Sequence, residues 1–171
     1  ILVRIDSGPP SIYLGKRVGK GGSNFNIIKF RTMILDAEIK SGGYVTSKND
    51  PRITKIGRFL RRYKLDELAQ LFNILKGDMS FVGPRPEVLE YVNLYSQEDR
   101  EIILSVKPGI TDLSSLEFVQ LGEELGLNNS ERQFKQRLDK ILEKKIQLRR
   151  KYIEDMSFSL DLKIIFKTFF K

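Results

Sequence analysis

Residues 64–87 read KLDELAQLFNILKGDMSFVGPRPE, and this stretch decides how the rest of the chain is interpreted. Its apolar side chains recur at the i, i+3, i+4 and i+7 spacing of a helix: Leu68, Leu71, Phe72 and Leu75. Asp66 and Glu67 lie in the predicted first turn, where the helix dipole favours negative charge, and Gly77 is a natural stop. The first half of the stretch therefore predicts a helix with an acidic start.

The second half of the stretch predicts an irregular and stiff segment. Between Gly77 and Glu87 there is no helical or alternating pattern, and prolines stand on both sides of Arg85. Proline fixes its own backbone angle and restricts the residue before it. We expect no regular element here, and one arginine held on a rigid backbone.

Two further elements are predicted upstream. Asp50-Pro51 favours a helix start with Asp50 as the cap, and the helix would carry Arg58, Arg61 and Arg62. Before it, β-type runs on either side of the glycine-rich segment 19–23 predict a hairpin. The alternative, a phosphate-binding P-loop at that segment, is disfavoured, because the glycine spacing is one residue short and no Ser or Thr follows Lys20.

Three helices are predicted downstream, over residues 88–105, 131–155 and 157–171. The long helix 131–155 is basic, with an apolar side that consists of Leu138, Ile141, Leu142, Leu148 and Tyr152. In the last helix lysines flank an apolar face made of Leu162, Ile165, Phe166 and Phe169. That pattern suits either a helix lying on an anionic membrane or a packed terminal helix. The fold class predicted is α+β, mainly helical with a β-hairpin near the N-terminus and amphipathic interfacial helices, in a single domain over 1–171.

The composition of the chain limits the catalytic mechanisms that are open to it. The 171 residues contain no histidine and no cysteine, and 30 Lys and Arg against 22 Asp and Glu give a net charge of +8. Catalytic triads, thiol nucleophiles and ordinary zinc sites are therefore excluded. Catalysis would depend on carboxylates, cationic side chains, hydroxyls or a hard cation such as Mg²⁺. The positive excess indicates an anionic partner: a nucleic acid, a phosphorylated ligand or an acidic membrane.

Asp66 and Glu67 are the leading catalytic candidates. Adjacent carboxylates point in different directions from a helix start, so that one can ligate a metal while the other attacks or accepts a proton. The alternative is that both are only helix caps. The arginines on either side favour phosphoryl transfer, because guanidinium groups bind phosphate oxygens and Arg85 is pinned between prolines.

Six motifs, in order along nearly the whole chain, resemble those of the bacterial sugar transferase family, the monotopic polyprenyl-phosphate phosphoglycosyltransferases. The segments are Lys29–Met33, Asp50–Thr54, Leu65–Leu68, Leu75–Pro86, Lys107–Thr111 and Ser157–Lys163, with Asp161 inside the last. The resemblance implies transfer of a sugar 1-phosphate from a UDP-sugar to a polyprenyl phosphate such as undecaprenyl phosphate. UMP would be released with Mg²⁺ as cofactor, as a first step in assembly of a bacterial surface glycan such as O-antigen or capsule.

The resemblance also implies roles for single residues. Asp66 matches a nucleophile that forms an aspartyl phosphosugar intermediate, and Glu67 matches a neighbouring carboxylate associated with the metal, so that both are candidate metal ligands. The residues expected to bind substrate are Lys29, Arg58, Arg61, Arg85 and Asp161. The expected partners are a UDP-sugar, a polyprenyl phosphate and the lipid surface at the cytoplasmic face of the membrane. A homodimer is left open, and nucleic acid is not expected.

The chain departs from the family pattern at two positions. Asp112 stands where many members have glycine, and Arg149 stands where an acidic residue is common. Asp112 or Glu117 is a candidate for the missing carboxylate. We expect the chain to be a piece of a longer protein, because it starts at Ile1 without methionine and the family's hydrophobic N-terminal segment is not among its 171 residues. Two rival functions are a basic nucleic-acid-binding module and a non-catalytic peripheral membrane protein; neither requires Asp66.

Overall fold

A computed structural model of the chain describes residues 1–35, 37, 50–117 and 131–170. Its first part contains a short helix α1 (Leu2–Ser7) and the predicted hairpin. Strands β1 (Ile12–Val18) and β2 (Asn24–Phe30) pair antiparallel, with Ile12 opposite Phe30 and Val18 opposite Asn24. A 3₁₀ turn, Lys20–Gly22, joins them. The hairpin is confirmed, and its first strand is longer than the apolar run that predicted it.

Helix α2 (Lys55–Arg62) starts later than predicted, because Asp50 does not cap it. Asp50 is buried and its carboxylate bonds to the backbone and guanidinium of Arg52 at 2.6–3.1 Å. The N-cap is Thr54, whose hydroxyl accepts a hydrogen bond from the Gly57 amide. The Thr54 hydroxyl therefore caps the helix, since the Asp50 carboxylate is occupied by the buried Arg52.

The acidic pair lies on a 3₁₀ helix, Leu65–Gln70, which continues directly into α3 (Leu71–Lys76). Gly77 ends α3 in a left-handed conformation with φ 84°, as the sequence predicts. Lys64, just before the 3₁₀ helix, also has positive φ, at 54°, which is uncommon for a residue other than glycine. This sharp bend between α2 and the 3₁₀ helix places Asp66 on the buried side.

The segment predicted to be irregular contains one short strand, β3 (Ser80–Val82), which pairs in parallel with β4 (Gly109–Thr111). The two strands approach closely: a Cβ on Gly109 would lie 2.2 Å from the Gly83 nitrogen. Glycine is required at that contact because no side chain fits. The pairing brings the Pro84–Pro86 segment beside residues 109–112, although more than twenty residues separate them in sequence.

The helix predicted over residues 88–105 is two helices, α4 (Leu89–Val92) and α5 (Gln97–Ile103). The single-helix prediction was wrong because Ser96 is an N-cap: its hydroxyl accepts from the Asp99 amide and starts a new helix. The remaining helices are α6 (Leu113–Glu117), α7 (Glu131–Glu154) and α8 (Phe158–Phe169, capped by Ser157). The last two confirm the long basic helix and the terminal helix.

Two small apolar clusters hold these elements together. One joins Val18, Val92, Tyr95 and Ile103 to the side of α7 that carries Leu142 and Ile146. The other joins Val82 and Tyr152 to Ile164 of α8. Of the predicted apolar side of α7, Tyr152 is buried and Leu142 packs on the first cluster, whereas the side chain of Leu138 lies outside the described residues. No helix in the described part of the chain combines the length and apolar character needed to cross a bilayer.

Candidate active site

The apolar stripe that predicted the 65–76 helical segment faces outward. Its four members are 41–82% exposed: Leu68, Leu71, Phe72 and Leu75. The side chains buried on the opposite side are Asp66, Ala69, Gln70 and Asn73. In a water-soluble domain a surface helix turns its apolar face to the core and its polar face outward. Here the polarity is reversed, so the chemistry-bearing side chains point into the protein.

Asn73 fixes the distance between this segment and the hairpin. It is fully buried, and its Oδ1 accepts a hydrogen bond from the Ile28 amide at 2.9 Å. Its Nδ2 donates to the Asn26 carbonyl at 2.8 Å and to Asp78 at 3.3 Å. The Asn73 side chain therefore takes the place of a neighbouring strand for β2. It sets where Lys29, the residue after Ile28, meets the acidic pair.

Glu67 is held by two cations. Lys29 Nζ donates to its Oε1 at 3.0 Å, and Arg85 contacts both of its oxygens, with Nη2 on Oε1 and Nη1 3.4 Å from Oε2. Burial opposes ionisation of the carboxyl group, but the charges of Arg85 and Lys29 prevail and lower the pKa of Glu67 to about 2. The pKa of Arg85 is raised by Glu67, whereas burial and Arg85 lower the pKa of Lys29. We call Lys29, Asp66, Glu67 and Arg85 the dyad cluster.

Asp66 is in a different state, although it is the next residue in the chain. Its side chain is buried, and no side chain among the described residues donates a hydrogen bond to it. Burial, followed by the negative charge of Glu67, raises the pKa of Asp66 above its usual value. Raising the pKa of a carboxylate makes its ionised form a stronger base and nucleophile. The adjacent pair therefore consists of one neutralised anion and one under-solvated carboxylate.

The structure gathers some of the residues predicted to bind substrate and not others. Lys29 and Arg85 join the acidic pair. Arg61 lies near it: its Nε donates to the Thr32 hydroxyl at 2.8 Å, and its charge acts on Asp66. Arg58 is exposed on α2, and the carboxylate that its charge acts on is Asp6.

Asp161, on α8, accepts a hydrogen bond from the Tyr152 hydroxyl at 2.8 Å. Burial and this bond raise the pKa of Tyr152. The bond ties α8 to α7, so that the described contacts of Asp161 lie with those helices and not with the dyad cluster.

A metal would find a limited set of donors here. Within residues 1–35, 37, 50–117 and 131–170 no group of three or more acidic side chains forms a metal cage. The Asp66 carboxylate is the open oxygen donor, and the Glu67 oxygens already contact cations. Mg²⁺ commonly binds one or two carboxylates together with substrate phosphates and retains waters. The residues therefore fit Mg²⁺ shared with a diphosphate ligand, and not a cage built from protein alone.

Sequence comparisons place the chain in a family. The profile of the family "Bacterial sugar transferase" matches residues 1–171. The chain belongs to the bacterial sugar transferase family.

Relatives in this family carry names that specify different sugars. The chain is 37% identical over 173 residues to the UDP-glucose:undecaprenyl-phosphate glucose-1-phosphate transferase of Escherichia coli, covering 100% of this chain and 34% of that protein. It is 35% identical to the UDP-N-acetylgalactosamine-undecaprenyl-phosphate N-acetylgalactosaminephosphotransferase of Aeromonas hydrophila, covering 98% of this chain and 36% of that one. The chain thus spans about a third of the length of these two bacterial sugar transferases.

Sequence reasoning missed three residues of the site region. Asn73 is hidden in the apolar run that predicted the helix, and a buried polar position inside such a run is the signal that could have marked it. Thr32, which bonds to Arg61, lies in a recognised motif without a role assigned to it. Glu87, beside the Pro-Arg-Pro segment, bonds to Arg149 at 2.7 Å, and no local pattern predicts that partner, which lies 62 residues away.

Proposed function

We propose that the protein transfers a sugar 1-phosphate from a UDP-sugar to undecaprenyl phosphate and releases UMP, which starts assembly of a bacterial surface glycan. The observation that carries the proposal is the unequal carboxylate pair: Asp66 buried without a side-chain partner, beside Glu67 neutralised by Lys29 and Arg85. The relatives support the substrate classes, since their names join a UDP-sugar to undecaprenyl phosphate. Because those names specify different sugars, they support no particular donor sugar.

In the first step, an Asp66 carboxylate oxygen attacks the phosphorus that carries the sugar. A new P–O bond forms to Asp66, and the bond from that phosphorus to the bridging oxygen breaks, so that UMP leaves with the electron pair. An anionic nucleophile and an anionic diphosphate repel each other, and nearby positive charge lowers that barrier. Lys29, Arg85 and Arg61 are the described cations placed to supply it.

In the second step, a phosphate oxygen of undecaprenyl phosphate attacks the same phosphorus. The acyl-phosphate P–O bond breaks, the undecaprenyl diphosphosugar forms, and the Asp66 carboxylate is restored. Asp66, the open oxygen donor, would hold Mg²⁺ together with the diphosphate of the UDP-sugar, beside Glu67 with its bound Lys29 and Arg85. When bound, Mg²⁺ supplies charge neutralisation to the donor diphosphate.

The outward-facing stripe supports a lipid-facing site. We call Leu68, Leu71, Phe72 and Leu75 the outer apolar surface. Cationic residues lie at both ends of the segment, with Lys64 before it and Lys76 after it. Apolar side chains with flanking cations suit the interface of an anionic leaflet. Because Asp66 lies on the same segment, contact of the outer apolar surface with the cytoplasmic leaflet would hold the site near a lipid-borne phosphate.

The catalytic test uses the full-length protein in lipid vesicles with undecaprenyl phosphate, Mg²⁺ and a panel of UDP-sugars. UMP release in the wild-type protein and its loss in Asp66→Asn are expected. With donor but no acceptor, intact mass should show one sugar-phosphate adduct on the wild-type protein and none on Asp66→Asn. The matched control is Asp99→Asn, which removes a carboxylate elsewhere and should keep the adduct. UMP release at wild-type rates in Asp66→Asn would reject Asp66 as the nucleophile. No UMP release from the wild-type protein would reject the transferase function and leave the two non-catalytic rivals.

The lipid-facing test compares exposed apolar residues. The double variant Phe72→Ser/Leu75→Ser should bind less to phosphatidylglycerol vesicles than the wild-type chain does, measured by co-sedimentation. Leu94→Ser is the control, because Leu94 is 64% exposed but lies outside the outer apolar surface. Equal losses in the double variant and in the control would contradict a specific lipid-facing surface.

A further inference from the structure

A second ionic cluster lies beneath the Pro-Arg-Pro segment. Arg149 of α7 is 2% exposed and donates through Nη2 to Glu87 at 2.7 Å and through Nη1 to the Tyr95 hydroxyl at 2.5 Å. Its Nε lies 3.8 Å from Oδ2 of Asp112, which is 1% exposed. We call Glu87, Tyr95, Asp112 and Arg149 the Arg149 cluster. Its two most deeply buried members are the positions at which the chain departs from the family pattern.

Asp112 has partners on three sides. Its Oδ1 accepts from the Ser115 amide at 2.5 Å, and its Oδ2 accepts from the Ser114 hydroxyl at 2.6 Å. The same Oδ2 accepts from the backbone amide of Arg85 at 3.3 Å. One carboxylate therefore neutralises Arg149 and holds the backbone of an arginine in the dyad cluster.

The Arg85 amide is the contact through which the two clusters communicate. Pro84 and Pro86 have no N–H group, so Arg85 supplies the only backbone donor of the triplet. That donor goes to Asp112, while the guanidinium goes to Glu67 and to the Ile110 carbonyl. The residue is thus fixed at its backbone by one cluster and at its tip by the other.

We propose that Asp112 and Arg149 are positioning residues, which set the backbone of Arg85 so that its guanidinium reaches Glu67 and the substrate diphosphate. A buried ion pair is a poor source of net stability but can specify a geometry. Both side chains are sealed from solvent, so they act through Arg85 and do not touch substrate. Asp112 therefore does not replace a catalytic carboxylate, and Glu117 pairs with Lys144 at the surface. This inference rests on the proposed transferase function.

A double-mutant cycle in the full-length protein tests the proposal. In the wild-type background, Asp112→Asn should lower kcat/KM for the UDP-sugar by about 10- to 100-fold, since a small misplacement of a positioned group has effects of that size. In the Arg85→Ala background the same change should cost less than about twofold, because residues acting through one group are not additive. Effects that multiply in the double variant would overturn the proposal.

The matched control is Asp99→Asn, which removes the carboxylate that pairs with Arg150, the neighbour of Arg149 on α7, at 2.9 Å. It should leave kcat/KM unchanged. Arg149→Lys keeps the charge and should retain more activity than Arg149→Met; equal losses in the two would also count against the pair. If a variant folds poorly, hydrogen exchange decides: the Arg85 amide should exchange faster in Asp112→Asn and not in Asp99→Asn. Unchanged exchange in both would overturn the proposal.

Two failures can be told apart. A wild-type protein that transfers no sugar phosphate rejects the proposed function, and the positioning role falls with it. An active wild-type protein with multiplicative effects of Asp112→Asn and Arg85→Ala rejects the positioning role alone.

Discussion

The dyad cluster and the Arg149 cluster are built from the same groups, carboxylates and guanidinium ions, yet they differ in what is left unpaired. In the Arg149 cluster the carboxylate of Asp112 is saturated by hydrogen bonds and sealed from solvent. In the dyad cluster Asp66 has no side-chain donor, and the Arg85 side chain is 36% exposed. A saturated cluster fixes geometry, whereas an unsaturated one beside an accessible cation retains reactivity. Arg85 belongs to both, by its backbone to one and by its side chain to the other.

The largest expected effect comes from removing the unpaired carboxylate. Asp66→Asn should lower UMP release by about 10³-fold or more, as loss of a nucleophile does.

A second expectation, on folding stability, distinguishes Asp66 from the sealed Arg149 cluster. Because the folded pKa of Asp66 is raised, folding disfavours its ionised form, and the penalty is present at pH values above the folded pKa and absent at low pH.

Asp66→Asn should therefore raise the thermal midpoint at pH 7 relative to wild type, and the gain should shrink as the pH falls towards 4. Differential scanning calorimetry in EDTA measures both values. A lower midpoint at pH 7 would show that Asp66 stabilises the fold, which contradicts the contrast drawn between the two clusters.

The next effect comes from removing the anion that two cations share. Glu67→Gln should lower UMP release by about 10²-fold. It removes the negative charge that holds Lys29 and Arg85, so both cations lose their common partner. Here the sign of the pH effect is opposite. The folded pKa of about 2 is below the ordinary value of 4.5, so the stabilisation is complete above 4.5 and is lost as the pH falls through 2.

The acid limb of the unfolding free energy should therefore be less steep in Glu67→Gln than in the wild-type protein over pH 4.5 to 2, measured by urea titration in EDTA. Identical limbs would mean that the ion pairs of Glu67 contribute nothing to folding.

The family motifs allowed the sequence to predict the dyad cluster better than periodicity did. The structure brings Lys29 and Arg85 to Glu67, and each member of the dyad cluster lies in one of the recognised motifs. Periodicity gave the helical segment at 65–76 but not which side is buried, since an apolar stripe marks equally a core and a lipid face. Ser96 shows another limit: a capping serine within the predicted helix 88–105 divided it into two helices.

Long-range pairing of polar groups could not be predicted at all. Asp112 and Arg149 each stood out as departures from the family pattern, yet nothing local indicated that they meet 37 residues apart at 3.8 Å. Asn73 and Glu87 likewise bond to partners far away in sequence. Such contacts depend on the parallel pairing of two three-residue strands, which are too short to leave an alternating pattern.

A smaller effect is expected when Arg85, the cation common to both clusters, is replaced by lysine. Arg85→Lys keeps the charge but loses the planar fork that contacts both Glu67 oxygens. UMP release should fall by about tenfold, less than in Glu67→Gln, because the positive charge at position 85 remains. Arg62→Lys, on the exposed side of α2, is the control and should be neutral. A larger loss in Arg85→Lys than in Glu67→Gln would mean that the fork itself, and not its charge, dominates.

The last prediction compares the sealed carboxylate of Asp112 with the partly exposed carboxylate of Asp99, which pair with the neighbouring arginines Arg149 and Arg150. Asp112→Asn should lower the thermal midpoint clearly, because it leaves the buried Arg149 without one of its anions, and breaking a buried pair is strongly destabilising. Asp99→Asn should lower it by less than about 3 °C, since Arg150 is 31% exposed and also bonds to Glu98. Added salt should reduce the small effect of Asp99→Asn and leave the larger one nearly unchanged, because solvent ions screen the partly exposed pair more than the sealed one. If both variants responded to salt equally, the Arg149 cluster would not be sealed, and its role in setting Arg85 would lose its physical basis.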